Sequence, residues 1–266
     1  MRSPRVLALV ALLGGCAIST QQEVEMGAGY SAEINRQLPI VQDAELNRYI
    51  NVLGDSIARI ADKRNLDWQF HIVNSPEVNA FAVPGGFIYI NRGLIDRAKS
   101  LSQVAGVIGH EIGHVTQRHS VKQMQKSQGA NIGLLGICIF TSMCNSESGQ
   151  ALVGLSANAA MATFSRADED DADKVAVGYM VRSGIDPSGI TEMFLILLEE
   201  RQVKPEGLET WFTSHPLEES RIAASRARID ALPAGSTTGL TKDSPSFQAF
   251  KRRLTALPAA PAGAPR

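Results

Sequence analysis

Long apolar runs are missing from this chain: nowhere do its 266 residues offer the roughly 18 to 20 consecutive apolar side chains that a membrane-spanning helix needs. Net charge is missing too. At −1 the chain carries no electrostatic footprint for nucleic acid, whose binders concentrate Lys and Arg, so nucleic acid is excluded as a partner. Cysteine numbers three and histidine five, so the placement of each one is informative. What is present, 44% hydrophobic and 20% charged residues, suits one large or two small globular domains with a sizeable core.

Two of the scarce histidines fall in His110-Glu111-Ile112-Gly113-His114. On an α-helix, residues four apart share a face about 6 Å apart along the axis. Both imidazoles can then reach one metal ion at about 2.0–2.1 Å, which makes the pair half of a zinc site. Glu111 lies about 100° round the helix from His110, off the ligand face but placed to take a proton from a water molecule, and is the candidate general base. Leu101, Val104, Val107, Ile108, Ile112 and Val115 give the segment helical apolar spacing, and no proline interrupts residues 100–127. Gly106, Gly109 and Gly113 each cost about 1 kcal/mol against alanine in a helix, which predicts close packing of another element against it.

Ahead of this helix, Arg2 and Arg5, the apolar Val6 to Leu13, and Leu13-Gly14-Gly15-Cys16 read as an export signal. The last four residues resemble the lipobox of bacterial lipoproteins, which implies cleavage before Cys16 and a lipid anchor on it. Ala17 after the cysteine resembles lipoproteins sent to the outer membrane, facing the periplasm. Residues 16–40 read as the lipidated terminus and a polar tether. From Asp43 to Asp62, Leu46, Ile50, Leu53, Ile57 and Ile60 predict an amphipathic helix. Trp68, Phe70 and Ile72 alternate with neighbours in a strand pattern that puts His71 on the outer, solvent-facing side. Asn79 to Val83, the turn Pro84-Gly85-Gly86, and Phe87 to Ile90 predict a hairpin. One of its strands is expected to be an exposed edge to which an extended peptide adds, with Asn79, Ala80, Phe81 and Ala82 as candidate substrate-binding residues. The segment 233–266 is rich in Ala, Pro, Gly and Ser and reads as a partly disordered tail, its end from Pro258 lacking the apolar content to pack.

A site of this kind needs a third protein ligand and an open fourth position. Gln117 and Ser120 stand where the metzincin continuation requires Gly and His. His119 lies about 140° from His114 on a continuous helix and is expected to be solvated. The remaining source is the acidic run Asp168-Glu169-Asp170-Asp171-Ala172-Asp173 at the start of a second helical pattern. Helix capping by Ser165 with Asp168 and complementation of the macrodipole account for part of this run and leave room for a metal-binding carboxylate. A calcium loop is excluded by the absence of glycine at its sixth position.

Taken together, Asn79 to Gly86, His110 to His114, Phe164-Ser165-Arg166 with Glu169 and Ala172-Asp173, and His215-Pro216 with Arg221-Ile222 resemble the successive motifs of the HtpX and CAAX-prenyl-protease family of zinc endopeptidases, in particular its soluble bacterial lipoprotein branch. The resemblance covers roughly residues 30–232. The spanning helices of its membrane-embedded members and the tetratricopeptide repeats of some periplasmic members have no counterpart in these residues. It implies one zinc ion per chain held by His110, His114 and Glu169, Glu111 as general base, and Asp173 as the carboxylate that orients a ligand histidine. It also implies a place near the metal for His215, either as an oxyanion donor or as the occupant of the open position at rest. The role of Arg221 is left open. With Cys16 lipidated, Cys138 and Cys144 form the natural disulfide pair, expected to staple the tip of a lid over the cleft.

The expected protein is therefore α+β and mostly helical, with a zincin-like catalytic domain over 41–232 and a small sheet. Its expected function is zinc-dependent endoproteolysis of unfolded or misassembled envelope proteins from a lipid-anchored position, with the outer-membrane assembly machinery as a candidate partner. The competing expectation is a lipoprotein assembly factor or chaperone with little proteolytic activity.

Overall fold

The computed structural model describes residues 18–126, 164–203, 209–216 and 219–259. Cys16, Cys138 and Cys144 lie outside them, so the anchor and the disulfide are not part of the fold described below.

The hub is α4 (Leu101–Thr116), in which every residue from Leu101 to Val115 is buried. It packs against α2 (Ala44–Ala61), strand β2 (Ala80–Val83), α6 (Arg166–Arg182) and α7 (Ser188–Val203). The predicted glycine contacts are real. A methyl group on Gly106 would meet the Ile190 backbone of α7 at 2.9 Å, and one on Gly113 would meet Ala172 of α6 at 3.1–3.2 Å. Between them, Gly109 has Ala176 no nearer than 3.7 Å.

The sheet has the order β1-β3-β2, with β1 (Gln69–Val73) parallel to β3 (Phe87–Asn91) and β2 antiparallel to it. The hairpin is the expected one, its turn carried by Gly85 and Gly86 at φ +87° and +104°, a region open to glycine. Among the described residues β2 has a strand neighbour on one side only, and its four residues are all buried. Phe70, Ile72, Ala82, Ile88 and Ile90 face the main core with α2, whose stripe Leu46, Ile50, Leu53 and Ile57 is buried as its spacing requires. Ile60 is the exception: it is 37% exposed, and Ala61 fills the inner position. Asp43 caps α2 by accepting from the Glu45 and Leu46 amides.

Two segments depart from the sequence reading. Residues 20–37, inside the expected tether, form α1 (Thr20–Gln37), started by a capping box between Ser19 and Gln22. Its inner face is Glu23, Gly27, Tyr30, Ser31 and Ile34. Only Tyr30 and Ile34 are large and apolar, which is why the stripe is hard to see in the sequence. Tyr30 and Ile34 cover the second face of the sheet together with Phe81, Val83, Phe87 and Tyr89. This cover also corrects His71, expected at the surface: it is half-buried and stacked on Tyr89 at 4.8 Å between ring centroids. Within the expected tail, Pro245–Thr255 form a helix, α10, with Ser244 as cap and Phe247, Phe250 and Leu254 buried. Phe250 stacks on Tyr49 of α2 at 4.5 Å. The apolar spacing of three and four residues was present but was submerged in the average composition of the segment.

Three shorter helices complete the described fold before the site: α3 (Arg92–Arg97), α5 (His119–Lys126) and α8 (Glu209–Ser214), with α9 (Glu219–Asp230) following α8. The unequal clearances along α4 lead to opposite expectations for two like substitutions. Gly106→Ala forces backbone against backbone and is expected to cost about 1–3 kcal/mol. Gly109→Ala meets ordinary contacts and is expected to be neutral or to gain up to about 1 kcal/mol of helix propensity. Urea unfolding of the metal-free proteins compares them directly.

Candidate metal centre

α4 delivers His110, Glu111 and His114 from adjacent positions on one turn, and all three are buried to 1% exposure or less. α6 brings Glu169 from its first turn and Asp173 one turn later, both fully buried. His215 lies just past the end of α8, its amide still donating to the Trp211 carbonyl at 2.8 Å.

These residues converge on a small volume. The Nε2 atoms of His110 and His114 are 3.0 Å apart, and Glu169 Oε2 and Oε1 lie 3.5 and 3.3 Å from them. His215 Nδ1 is 3.1 Å from Glu169 Oε1 and 3.4 Å from His110 Nε2. A tetrahedron with arms of 2.0–2.1 Å, the reach of zinc to imidazole or carboxylate, has edges of about 3.3–3.4 Å. Several of these separations match such edges, and one donor atom from each of His110, His114, Glu169 and His215 lies within 4.8 Å of the others, a set that can hold a four-coordinate metal with His215 offering the fourth corner.

Glu111 stands beside this cluster with both carboxylate oxygens buried and without a hydrogen-bond partner among the described residues. Its nearest cationic candidate is His215 Nε2, 3.6 Å from Oε1. Burial raises the Glu111 pKa, with His215 and His110 only partly opposing it. Leaving such a group dry costs free energy unless a water, metal or substrate atom satisfies it, so the orphaned oxygens mark a place where one belongs.

Around the centre the supports are carboxylates and rings. Asp173 Oδ1 lies 2.8 Å from His110 Nδ1. Burial works against a charged His110, but its bonds to Asp173 and Glu169 and their charges prevail, and its pKa is pushed up to about 10. His114 moves the other way: burial, reinforced by the adjacent His110, drives it well below the ordinary imidazole value. Burial would raise Glu169, yet the neighbouring His215 and His110 hold it well below the usual carboxylate range. Phe164 stacks on His114 at 3.9 Å and Trp211 on His215 at 4.6 Å, closing the cluster with apolar rings.

Two residues here escaped the sequence reading. Arg221, whose role was open, is buried and grips Asp173 with two hydrogen bonds of 2.8 Å while a third nitrogen pairs with Glu169. Nothing in α9 sets it apart from Arg226 and Arg228 except its place in the family-like motif. His119, expected to be solvated, is 3% exposed, with its Nδ1 3.0 Å from His114 Nδ1. The 140° offset assumes an unbroken helix, but Arg118 takes φ +58° between α4 and α5 and swings His119 back beneath His114. Asp170 faces outward and pairs with Arg228. Among the described residues no hydrogen bond or ion pair joins Asn79, Ala80, Phe81 or Ala82 to the cluster; Ala80 to Ala82 sit on β2, against α4, and Asn79 just precedes it.

Comparison with known proteins agrees with this geometry. The chain is 33% identical over 225 residues to the beta-barrel assembly-enhancing protease of Escherichia coli (strain K12), covering 82% of this chain and 46% of that protein. It is 29% identical over 186 residues to the metalloprotease LoiP of the same organism, covering 70% of each. A third relative is the mitochondrial metalloendopeptidase OMA1 of Schizosaccharomyces pombe, 25% identical over 226 residues, covering 82% of this chain and 63% of the relative. The chain thus spans about half the length of the first of these curated relatives. Residues 42–229 match the profile of peptidase family M48, which takes in the histidines of α4, the acidic start of α6, His215 and Arg221. The chain belongs to peptidase family M48.

Proposed function

We propose that this chain is a zinc-dependent endopeptidase of the bacterial envelope that cleaves unfolded or misassembled envelope proteins. The observation that carries the reading is the pairing of a buried N, N, O donor set with an adjacent carboxylate whose two oxygens have no hydrogen-bond partner among the described residues. An assembly factor that only binds its clients has no use for such a carboxylate. Among the described residues no helix is long and apolar enough to cross a membrane, which is compatible with attachment through lipidated Cys16 to the outer membrane, facing the periplasm. Similarity to the beta-barrel assembly-enhancing protease of Escherichia coli supports the assembly machinery of the outer membrane as a partner.

Zinc held by His110, His114 and Glu169 would polarise the scissile carbonyl and acidify a water molecule. The rest falls to the chain. Glu111, its basicity raised by burial, takes the proton from the attacking water and hands it to the leaving amine. Asp173, with Oδ1 2.8 Å from His110 Nδ1, holds the ring with Nε2 inward through their opposite charge character, and Arg221 locks the position of both Asp173 and Glu169. The side of β2 that has no strand neighbour among the described residues would offer main-chain groups to an extended peptide, with Asn79 to Ala82 as the contact segment. Phe164 and Trp211 keep bulk water from the cluster. His215, 3.1 Å from Glu169 and 3.4 Å from His110, would supply a fourth donor at rest and give way to a substrate carbonyl.

Casein or peptide cleavage that stops with a chelator and returns with zinc tests the reading. Glu111→Gln is expected to keep its zinc by elemental analysis and to lose nearly all turnover, since an amide cannot take the proton; active, zinc-loaded enzyme in this variant contradicts the assignment. Metal affinity is expected to collapse in Glu169→Ala and to survive in Asp170→Ala, whose carboxylate points away. For His215→Ala, the fourth-corner geometry predicts retained zinc and faster cleavage of a short peptide. A fall of about 10²–10³ would instead assign His215 to the oxyanion.

A further inference from the structure

We infer that His119 is a positioning residue for the metal ligand His114, the inner member of a relay that runs from Asp171 through His119 to His114 and fixes the tautomer of both rings. The inference rests on the metallopeptidase reading above and adds a residue to it.

His114 turns Nε2 toward His110 and Glu169, so its Nδ1 points out of the cluster. The partner there is His119 Nδ1 at 3.0 Å. Two ring nitrogens at this distance make a hydrogen bond only if one carries a proton and the other does not. A histidine that binds metal through Nε2 carries its proton on Nδ1. His114 therefore donates and His119 Nδ1 accepts, which leaves the His119 proton on Nε2. That atom faces Asp171 Oδ2 at 3.4 Å and Asp168 Oδ1 at 3.7 Å, both acceptors. Donor and acceptor are then matched between the two rings, and the outward N–H of His119 faces carboxylates.

Local structure serves this placement. An i to i+5 contact is out of reach on a straight helix, and the left-handed turn at Arg118 makes it possible. Such a turn costs a non-glycine residue about 1 kcal/mol or more. Arg118 is held in it by its bond to buried Glu23 of α1 at 2.7 Å and by a further bond to the Ile18 carbonyl. His114 is thus backed by a histidine where His110 is backed directly by Asp173.

The test compares His119→Leu, which fills the space but cannot accept, with His119→Asn, whose Oδ1 stands where Nδ1 was. Zinc affinity is measured by competition with a chromogenic chelator, and melting of the metal-free proteins is recorded alongside. Loss of an outer partner of a ligand histidine weakens metal binding by about 10- to 100-fold, and this is the expectation for His119→Leu. His119→Asn is expected to recover most of that affinity, with both metal-free variants melting like the parent. Parental affinity in His119→Leu, equal losses in the two variants, or affinity losses that only follow a lowered metal-free melting point would each overturn the relay. Failure of the parent protein itself to bind zinc is a separate outcome and would overturn the metallopeptidase reading.

Discussion

Bringing two imidazoles, a third ring and a carboxylate within 4.8 Å of one another inside a protein is the constraint on which the remaining structure depends. Each of these groups loses water on burial, and their mutual contacts do not supply a donor for every acceptor. The fold meets this by aiming the C-terminal half of α4, the start of α6 and the end of the short α8 at a common point. α4 has to be buried on all sides to do so, and its glycines are the means. Without side chains at Gly106 and Gly113, α7 and α6 approach to backbone contact, which sets Glu169 at the depth of the two histidines.

The N-terminal helix belongs to the same arrangement. Glu23, fully buried on α1, pairs with Arg64 after α2 and with Arg118 after α4, while a second nitrogen of Arg64 donates to the Val115 carbonyl at the end of α4. A buried carboxylate between two arginines is costly to break, about 3–5 kcal/mol when one partner is removed. The charge thus ties α1, the loop after α2 and the end of the helix that carries His110 and His114 together. It does so one residue before His119.

How much of this could be read from the sequence follows from how each feature is encoded. The spacing of His110 and His114 equals a helical turn, so one element contains the signal and the site is legible there. The hairpin carries its own turn residues and is legible for the same reason. Glu169 was narrowed by composition to an acidic run and singled out only by resemblance to a family. Arg221 and His119 work across elements, one from α9 and one from beyond a helix break, and no local pattern marks them. α1 was hidden because its inner face is made of Glu, Gly and Ser as much as of apolar residues, and covering the sheet with it also moved His71 from surface to half-buried. α10 was overlooked for a different cause: the composition of residues 233–266 was averaged over an 11-residue helix and its polar flanks.

The acidic run has a fuller explanation once its members are assigned to the faces of α6. Asp168 completes the capping box with Ser165 and turns its other oxygen toward His119. Glu169 reaches the ligand cluster, Asp170 pairs outward with Arg228, Asp171 faces His119, and Asp173 holds His110. Macrodipole complementation alone would be satisfied by one or two of these. The density arises because a single helix start supplies a candidate ligand and the supports for both ligand histidines. Any displacement of α6 relative to α4 therefore moves all three at once. Because those contacts share one rigid element, the centre assembles when α6 docks rather than ligand by ligand.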